Sequence, residues 1–405
     1  MSGPLAGLHV IELCDELGQY AGKLLADLGA DVIKVEPPAG STARAVGPFV
    51  GDIEGPNRSL NFWYYNTNKR SVVLDYESGD DARAILRRLV EGADILVEDH
   101  APGYLKSIGF TYEDLATRNP ALIQCAITPF GQDGPWANYR VSDMVALAAG
   151  GPMSMNGYDQ SDAAGAPPIR GHGDQGYNTA CHYAVIGILA ALAHRDATGE
   201  GQFIDCSMHE ALSSTTEVGL PYYLTLQQDV VRQTGRHASV LHTEPWVYPS
   251  ADGKDMLVFG IGRDNASWTQ IKRWFQADGF GMQFDEERFD SPANRQPGRG
   301  TPEAGEIVAE VRRFFAAHTS NEIYRGGQER GQAWGAIRSP DETIDDPHLH
   351  DRRFFVAVGG EDIEHPVLMP GAPYVFSATP WELRFPAPKL GEHTEDVLRE
   401  LDARG

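Results

Sequence analysis

The segment LHVIELCDELGQYAGKLLADLGADVIKVE, residues 8–36, decides the fold class of this chain. Its first six residues are a mostly apolar run of strand length. Gln19 to Gly29 has helical spacing and ends on a glycine, a usual helix stop. Asp31 to Glu36 is a second strand-like run, ended by two prolines. A strand, a helix and a strand within about thirty residues predict a βαβ unit, in which the strands pair in parallel.

The same pattern recurs further along the chain. Strands are predicted at Ser71–Asp75, Asp94–Asp99 and Leu122–Phe130, with a helix over Asp81–Glu91. Alternating strands and helices are typical of a parallel sheet covered by helices on both faces. The predicted fold class is therefore α/β, with a doubly wound, Rossmann-like parallel sheet in a large domain.

A smaller α/β domain is predicted after it, because the composition becomes polar and rich in turn residues after about Leu220. Met256 to Ile261 predicts a strand, whereas Asn265–Phe275 and Glu306–Ala317 predict helices. The charged, Gly- and Pro-rich stretch Asp285–Gly305 predicts a loop. We expect a large domain over residues 1–220, a small domain over 221–338 and a C-terminal segment, 339–405, that returns to the large domain.

Composition limits the classes of partner. The 405 residues carry a formal net charge of -23, which opposes binding to nucleic acid and to anionic membranes. No apolar run approaches the ~20 residues needed to span a bilayer, and no signal peptide is expected. The four cysteines lie far apart without a C-x-x-C pair. These features predict a reduced, cytoplasmic protein.

Asp174 lies among glycines directly before a predicted apolar helix, roughly Tyr177 to His194. Gly171, Gly173 and Gly176 would let backbone amides and a ligand approach this carboxylate closely. Free amides at the start of a helix also favour an anion. Two interpretations stay open from the residues alone: Asp174 caps the helix, as Asp commonly does, or it is a reactive carboxylate kept ionised and accessible.

A dinucleotide site is not favoured, although the fold invites one. The first βα turn, CDELGQ at residues 14–19, lacks the G-x-G-x-x-G pattern and carries two acids where a pyrophosphate would lie. Glu36 ends the second strand as a ribose-binding acid would, but without the glycines this match is weak.

Eight segments of the chain, in order, resemble the family III CoA-transferases, also called the CaiB/BaiF family. They cover essentially the whole length: PLAGLHVIEL, LLADLGADVIKVEPPAG, NKRSVVLD, VEDHAPGYLKSIGF, ITPFGQDGPWANYRVSD, ALAAGG, ILAALAHRDATGEGQFIDCSMHEAL and LGEHTEDVL. The resemblance implies that the protein transfers coenzyme A from an acyl-CoA thioester to a free carboxylic acid. It implies Asp174 as the catalytic nucleophile, passing through a mixed anhydride and an aspartyl-CoA thioester.

The resemblance also implies residues that support this chemistry. Backbone amides near Gly173, Gln175 and Gly176 are candidates for stabilising oxyanions. Asp143 matches an acidic position near the active site of relatives, unless it serves only the loop structure. Coenzyme A is then a substrate, with no permanently bound cofactor and no metal. An interlocked homodimer is the implied assembly.

Contacts with CoA carry over less completely. The first βα loop, at Leu17 and Gly18, is expected to hold CoA through its backbone, although many relatives carry Gln where this chain has Leu17. Arg44 is the expected phosphate partner, because Pro37 occupies the position where relatives often have Arg. The remaining expected contacts are Leu74 against the adenine, Asp99 and His100 in place of an Asn-aromatic pair, and the cations Lys106 and Arg140 near the phosphates.

Three different functions stay open. Acyl-CoA racemases or isomerases of the same fold use a His directly before the acid that matches Asp143, and this chain has Ser142 there. A non-catalytic CoA-binding protein is the second function, and a dinucleotide-dependent oxidoreductase is the third. A metal site at His348 and His350 is not expected, because side chains at i and i+2 face the same way only on a strand.

Overall fold

A six-stranded, fully parallel sheet forms the centre of the larger of two compact units in this computed structural model. The structure describes residues 3–216, 219–243, 245–262, 264–295, 301–359 and 366–404. The strands of this sheet are β1 (His9–Leu13), β2 (Asp31–Glu36), β3 (Lys69–Val73), β4 (Ile95–Glu98), β5 (Ile123–Thr128) and β6 (Phe203–Ser207). Their spatial order is β3-β2-β1-β4-β5-β6. From β1 the chain first adds strands on one side of the sheet, and from β4 onward it adds them on the other side, so the strand order switches between β1 and β4 although all strands stay parallel. In sheets of this kind ligands bind beyond the carboxyl ends of the strands at such a switch.

Helices connect the strands and cover the sheet. The described helices are α1 (Gln19–Asp27), α2 (Leu60–Tyr65), α3 (Asp80–Glu91), α4 (Tyr104–Ser107), α5 (Tyr112–Arg118), α6 (Asp143–Ala149), α7 (Gln175–Thr198), α8 (Met208–Ser214), α9 (Gly219–Leu226), α10 (Asn265–Ala277), α11 (Pro302–Ala317), α12 (Ser320–Glu329), α13 (Pro347–Asp351) and α14 (Thr394–Arg404). No helix in the described ranges combines the length and the apolar character needed to cross a membrane.

The central strands are buried on both faces, which explains why they are apolar runs rather than alternating patterns. All residues of β4 and β5 are buried. On one face, Ile11 and Ile33 of the sheet join a core that contains Leu86 of α3 and Val397 of α14. The C-terminal helix therefore packs in the same unit as the first strands.

The second unit comprises Gly151–Arg170 and Thr216–Asp346. It contains the hairpin β7 (Val231–Gln233) and β8 (Arg236–Ser239), and the antiparallel sheet of β9 (Val247–Pro249), β10 (Asp255–Val258) and β11 (Trp334–Ala336). Trp268 and Trp334 lie in its core, with several phenylalanines. The hairpin of β12 (Phe355–Val358) and β13 (Val367–Pro370) belongs to the first unit.

The α/β class and the parallel sheet are confirmed. One local prediction is wrong: the loop expected over 285–305 contains a 3-10 turn at Glu287–Phe289, and α11 begins at Pro302 rather than at Glu306. The helix starts earlier because Thr301 Oγ1 accepts a capping hydrogen bond from Ala304 N and Pro302 occupies the first position. Residues 296–300 lie outside the described part. The domain limits at 220 and 338 stay a prediction, and the compact units additionally group 151–170 with the second one.

Candidate active site

Asp174 lies at the N-cap position of α7, half-buried, after Gly173 in the left-handed conformation. Its backbone φ and ψ are -91° and 60°, and its side chain accepts no capping hydrogen bond from the helix. Gly173 has φ +80°, which favours glycine there. Asp174 therefore occupies the N-cap position, but its side chain does not make the hydrogen bond by which an Asp caps a helix.

Another carboxylate caps α7. Asp143, the buried first residue of α6, accepts hydrogen bonds at Oδ1 from Gly176 N at 2.6 Å and from Tyr177 N at 3.3 Å. A Cβ on Gly176 would lie 2.9 Å from this oxygen, so glycine is needed for the close approach. Among the three amides expected to stabilise oxyanions, the Gly176 amide is thus already engaged by Asp143.

A cavity of about 440 Å³ opens at the carboxyl ends of the strands, where the strand order switches. Its lining residues come from the carboxyl ends of β1 and β2, from the loops after β1, β2, β3 and β4, and from α7: Leu13, Cys14, Asp15, Glu16, Leu17, Val35, Pro37, Ser41, Thr42, Tyr76, Glu77, Asp99, His100, Ala101 and Tyr177. Three of the expected CoA contacts, Leu17, Asp99 and His100, line it together. Tyr177, three residues after Asp174, connects this cavity to the start of α7.

Asp99 holds the loop between β1 and α1. Both of its carboxylate oxygens accept from Asp15 N at 2.9 Å, and Oδ2 accepts from Gly18 N at 2.8 Å. Burial, with a contribution from the charge of Asp15, raises the pKa of Asp99 to about 6. The expected contacts at Gly18 and Asp99 are therefore linked, because one residue fixes the backbone of the other.

His100 is a second titratable group in the cavity wall. Its ring stacks on Tyr104 at a centroid distance of 4.6 Å, and Nε2 lies 3.3 Å from the Tyr76 hydroxyl. Burial alone would lower the pKa of His100, but the Glu98 carboxylate, 3.5 Å from Nδ1, raises it above the ordinary value. A protonated imidazole in this wall is suited to an anionic ligand.

Glu16 is a site residue that reasoning from the sequence missed. It lines the cavity, and burial together with the charges of Asp15 and Asp174 raises its pKa, against a hydrogen bond from Thr42 that lowers it. In the sequence, the two acids of this loop argue only against a pyrophosphate. The signal that could have found Glu16 is its place after β1, where such loops contact ligands.

Arg44 has a different environment from the one expected. Only 3% of the residue is exposed, and its guanidinium donates to both carboxylate oxygens of Glu36 at 2.6 and 2.8 Å. It also donates to Pro56 O, Asn57 Oδ1 and Pro388 O. With its donors so engaged, this geometry does not favour a phosphate contact, which stays a prediction.

The remaining expected CoA contacts do not line the cavity. Leu74 is buried in the core of the first unit. Lys106 is exposed and borders a separate cavity of about 250 Å³ beside α4 and α5. Arg140 is exposed in the segment before α6. The structure thus brings Leu17, Asp99 and His100 together and leaves Leu74, Lys106 and Arg140 outside that group.

Comparison with known proteins gives consistent results. A sequence model of CoA-transferase family III matches residues 5–394. The chain is 34% identical over 402 residues to the succinyl-CoA:(R)-benzylsuccinate CoA-transferase subunit BbsE of Thauera aromatica, covering 99% of this chain and 95% of that protein. It is 34% identical to the succinate–glutarate CoA-transferase of Agrobacterium fabrum, covering 98% and 96%. A crystal structure of a CaiB/BaiF family protein from Brucella suis superposes with a TM-score of 0.80 at 29% identity, covering 99% of this chain and 100% of that one.

Proposed function

The chain belongs to CoA-transferase family III, and from this premise we propose that it transfers CoA from succinyl-CoA to a second dicarboxylic acid through Asp174. That the protein is a CoA-transferase follows from the family match and from the two relatives described above, which are named for such transfers. The donor and the class of acceptor are inferred from the same names, since succinate, benzylsuccinate and glutarate are all diacids. A panel of diacids offered to the succinyl-CoA-loaded enzyme would identify the acceptor.

The observation that carries the mechanism is the position of Asp174. It is a half-buried carboxylate at the N-terminus of a 24-residue helix, next to the cavity residue Tyr177. The field of the helix stabilises an anion at this end. Asp143 already accepts the capping hydrogen bond at the start of α7. The carboxylate of Asp174 is therefore not needed to cap this helix.

The proposed reaction consists of two half-reactions, one with the donor thioester and one with the acceptor acid, and each has two steps. The Asp174 carboxylate attacks the thioester carbonyl, and the C–S bond breaks to give a mixed anhydride and CoA thiolate. The thiolate then attacks Cγ of Asp174, and the bond between Cγ and the bridging anhydride oxygen breaks, releasing succinate with that oxygen and leaving an aspartyl-CoA thioester. The acceptor carboxylate repeats these steps in reverse. Charge balances throughout, and no external proton or redox equivalent is needed.

We also propose a homodimer. One face of α7 exposes Tyr183, Ile186 and Leu189 by 42%, 61% and 39%. In the second unit, α9 exposes Leu220, Tyr223 and Leu224 by 51%, 49% and 65%. Apolar faces of this kind commonly mark protein contacts. Analytical ultracentrifugation should give the mass of two chains, and a monomeric mass would contradict this proposal.

Intact-mass spectrometry tests the mechanism. The wild type incubated with succinyl-CoA should gain the mass of CoA less water, and hydroxylamine should remove this adduct. Asp174→Ala and Asp174→Asn should give no adduct. The matched control is Asp196→Asn, which changes an exposed acid near the other end of α7 and should form the adduct normally.

Three outcomes would contradict the mechanism. An adduct on Asp174→Ala would place the nucleophile elsewhere. No adduct on the wild type, together with deuterium uptake at the acyl α-carbon in D₂O, would favour a racemase. No adduct and no turnover, together with tight CoA binding, would favour a binding protein.

A further inference from the structure

A hydrogen bond between α2 and α7 lies beside Asp174 and has no part in the mechanism above. The hydroxyl of Tyr65, the last residue of α2, donates to Asn178 Oδ1 at 3.2 Å. Tyr65 is buried, and its ring makes edge contacts with Tyr20 at 5.4 Å and with Tyr64 at 4.9 Å. These contacts restrict the position of the phenol ring, and so they also restrict the position of the hydroxyl that donates to Asn178.

This bond sets the orientation of the Asn178 amide. A carboxamide has one acceptor oxygen and one NH₂ group with two donors. Burial, with a contribution from the charge of Asp174 and against the Asn178 bond, raises the pKa of Tyr65 to about 12. The phenol therefore stays protonated at neutral pH and acts as a donor. With Oδ1 facing Tyr65, the NH₂ group of Asn178 is directed away from the phenol.

Asn178 is one helical turn after Asp174. Its backbone N donates to Asp174 O at 2.8 Å, so the two residues stand in an i, i+4 relation at the first turn of α7. Side chains within a helix lean toward its N-terminus. The Asn178 side chain thus leans toward the end of α7 that carries Asp174.

An oxyanion on Asp174 needs hydrogen-bond donors. When CoA thiolate attacks Cγ, the S–Cγ bond forms and the C=O electron pair moves onto Oδ. Collapse restores the carbonyl and breaks the bond to the leaving carboxylate, so no proton is transferred. The Gly176 amide, one of the nearest backbone donors, is engaged by Asp143 at 2.6 Å. A side-chain carboxamide is one of the groups that stabilise an oxyanion by donating a hydrogen bond.

We propose that Asn178 Nδ2 donates to the oxyanion formed on Asp174, and that Tyr65 is a positioning residue that orients this amide. The inference rests on the proposed aspartyl intermediate and adds to it a residue that acts in the two steps at Cγ of Asp174: the attack of the CoA thiolate on the anhydride and the attack of the acceptor carboxylate on the thioester. Loss of one oxyanion donor typically lowers kcat by about 10²–10³-fold. The effect belongs to kcat rather than to KM, because the oxyanion is absent from the ground state.

The test compares Asn178→Ala, Tyr65→Phe and the double variant with wild type. With labelled succinate as the acceptor for succinyl-CoA, Asn178→Ala should lower kcat of the label exchange by about 100-fold with KM within about twofold. Tyr65→Phe should lower kcat by less, since the amide remains but is no longer oriented. The double variant should be no slower than Asn178→Ala, because Tyr65 acts through Asn178. The matched control is Thr179→Ala, which removes a side-chain bond to Gln175 O in the same turn and should keep wild-type kcat.

The outcomes separate this inference from the proposed function. If the wild type forms no CoA adduct, the aspartyl mechanism itself is wrong. If the wild type forms it and Asn178→Ala forms it at the same rate, only the role of Asn178 is wrong. Additive losses in the double variant would overturn the positioning role of Tyr65. Should Asn178→Ala not fold, as judged by circular dichroism, Tyr65→Phe still decides: wild-type kcat there contradicts the proposal.

Discussion

The carboxylate of Asp143 accepts a 2.6 Å hydrogen bond from the backbone of Gly176, and so the start of one helix is fixed by the start of another. Asp143 is the first residue of α6, and Gly176 is in the first turn of α7. Asp174 is two residues before Gly176, so the position of the first turn of α7 also sets the position of the Asp174 backbone. A carboxylate outside α7 therefore determines the place of the proposed nucleophile.

The first prediction concerns this bond. Asp143→Ala should lower the free energy of unfolding by about 2 kcal/mol, because it removes a charged cap and leaves two helix amides without it. It should also lower kcat, since the turn that carries Asp174 loses its anchor. Urea unfolding and steady-state kinetics measure the two effects. Thr111→Ala, which removes the Thr111 cap of α5, is the control and should lower stability by about 1 kcal/mol at unchanged kcat. Equal kcat in the two variants would refute the anchoring role.

Local patterns in the sequence were sufficient for β1 to β5 of the sheet but not for β6, where no strand was predicted. The strands β1, β2, β4 and β5 were predicted within a few residues, because a strand buried on both faces is a continuous apolar run. The short strands β7 and β9 have three residues each and carry no such signal. Tertiary pairing, rather than local periodicity, defines them.

The sequence predicted those parts of the candidate site that a single residue and its immediate neighbours indicate. Asp174 stands out in its glycine context, and the loops after parallel strands are expected to meet. The bond from Gly176 to Asp143 spans 33 positions, and no periodicity links residues so far apart. Arg44 and Glu36 are only 8 positions apart, but their ion pair crosses the irregular turn after β2, where no periodicity indicates which side chains meet. The sequence therefore did not show that the Arg44 guanidinium is a buried ion-pair partner.

The second prediction separates structural from ligand-binding cations. Arg44→Ala should lower the free energy of unfolding by about 3–5 kcal/mol, because it leaves the Glu36 carboxylate buried without its partner. Arg140→Ala, at an exposed position, should change stability by less than about 0.5 kcal/mol. Thermal unfolding and calorimetric titration with CoA measure both. A stable Arg44→Ala with weakened CoA binding would instead support the phosphate contact.

The third prediction is a pH dependence of CoA binding. Asp99, with a pKa raised to about 6, is largely neutral at pH 5 and ionised at pH 7.5. His100, with a raised pKa, is protonated at the lower pH and loses its charge as the pH rises. Both changes make the cavity wall more negative, so affinity for the phosphate-bearing ligand should fall as the pH rises, first as Asp99 ionises near pH 6 and then as His100 loses its proton at higher pH. Glu16, whose pKa is also raised, acts in the same direction.

Calorimetric titration at several pH values, with wild type and His100→Gln, measures this effect. Ionisation of the CoA phosphates is common to both proteins, so the difference between them isolates the imidazole. We expect a shallower fall in affinity for the variant. Identical pH profiles would mean that His100 does not face the bound ligand.

The fourth prediction concerns the buried charges beneath the CoA loop. Glu12 Oε1 lies 2.8 Å from Lys34 Nζ and Oε2 lies 2.7 Å from Lys69 Nζ, all fully buried. Lys69 also donates to Gln19 O at 2.7 Å, which ties this network to the start of α1. A Cβ on Gly22 would lie 1.6 Å from Glu12 Oε2, so Gly22→Ala must displace the carboxylate from its partners.

Displacing one member of a buried ion-pair network costs about 3–5 kcal/mol, so Gly22→Ala should unfold at a markedly lower urea concentration. The control is Gly305→Ala in α11, where an added Cβ meets nothing within 4 Å. That variant should gain about 0.5–1 kcal/mol, because alanine is the better helix former. Opposite signs for two chemically identical substitutions would establish that the contact with Glu12, and not helix propensity, sets the outcome. A Gly22→Ala protein as stable as Gly305→Ala would show that the network can rearrange around the added methyl group.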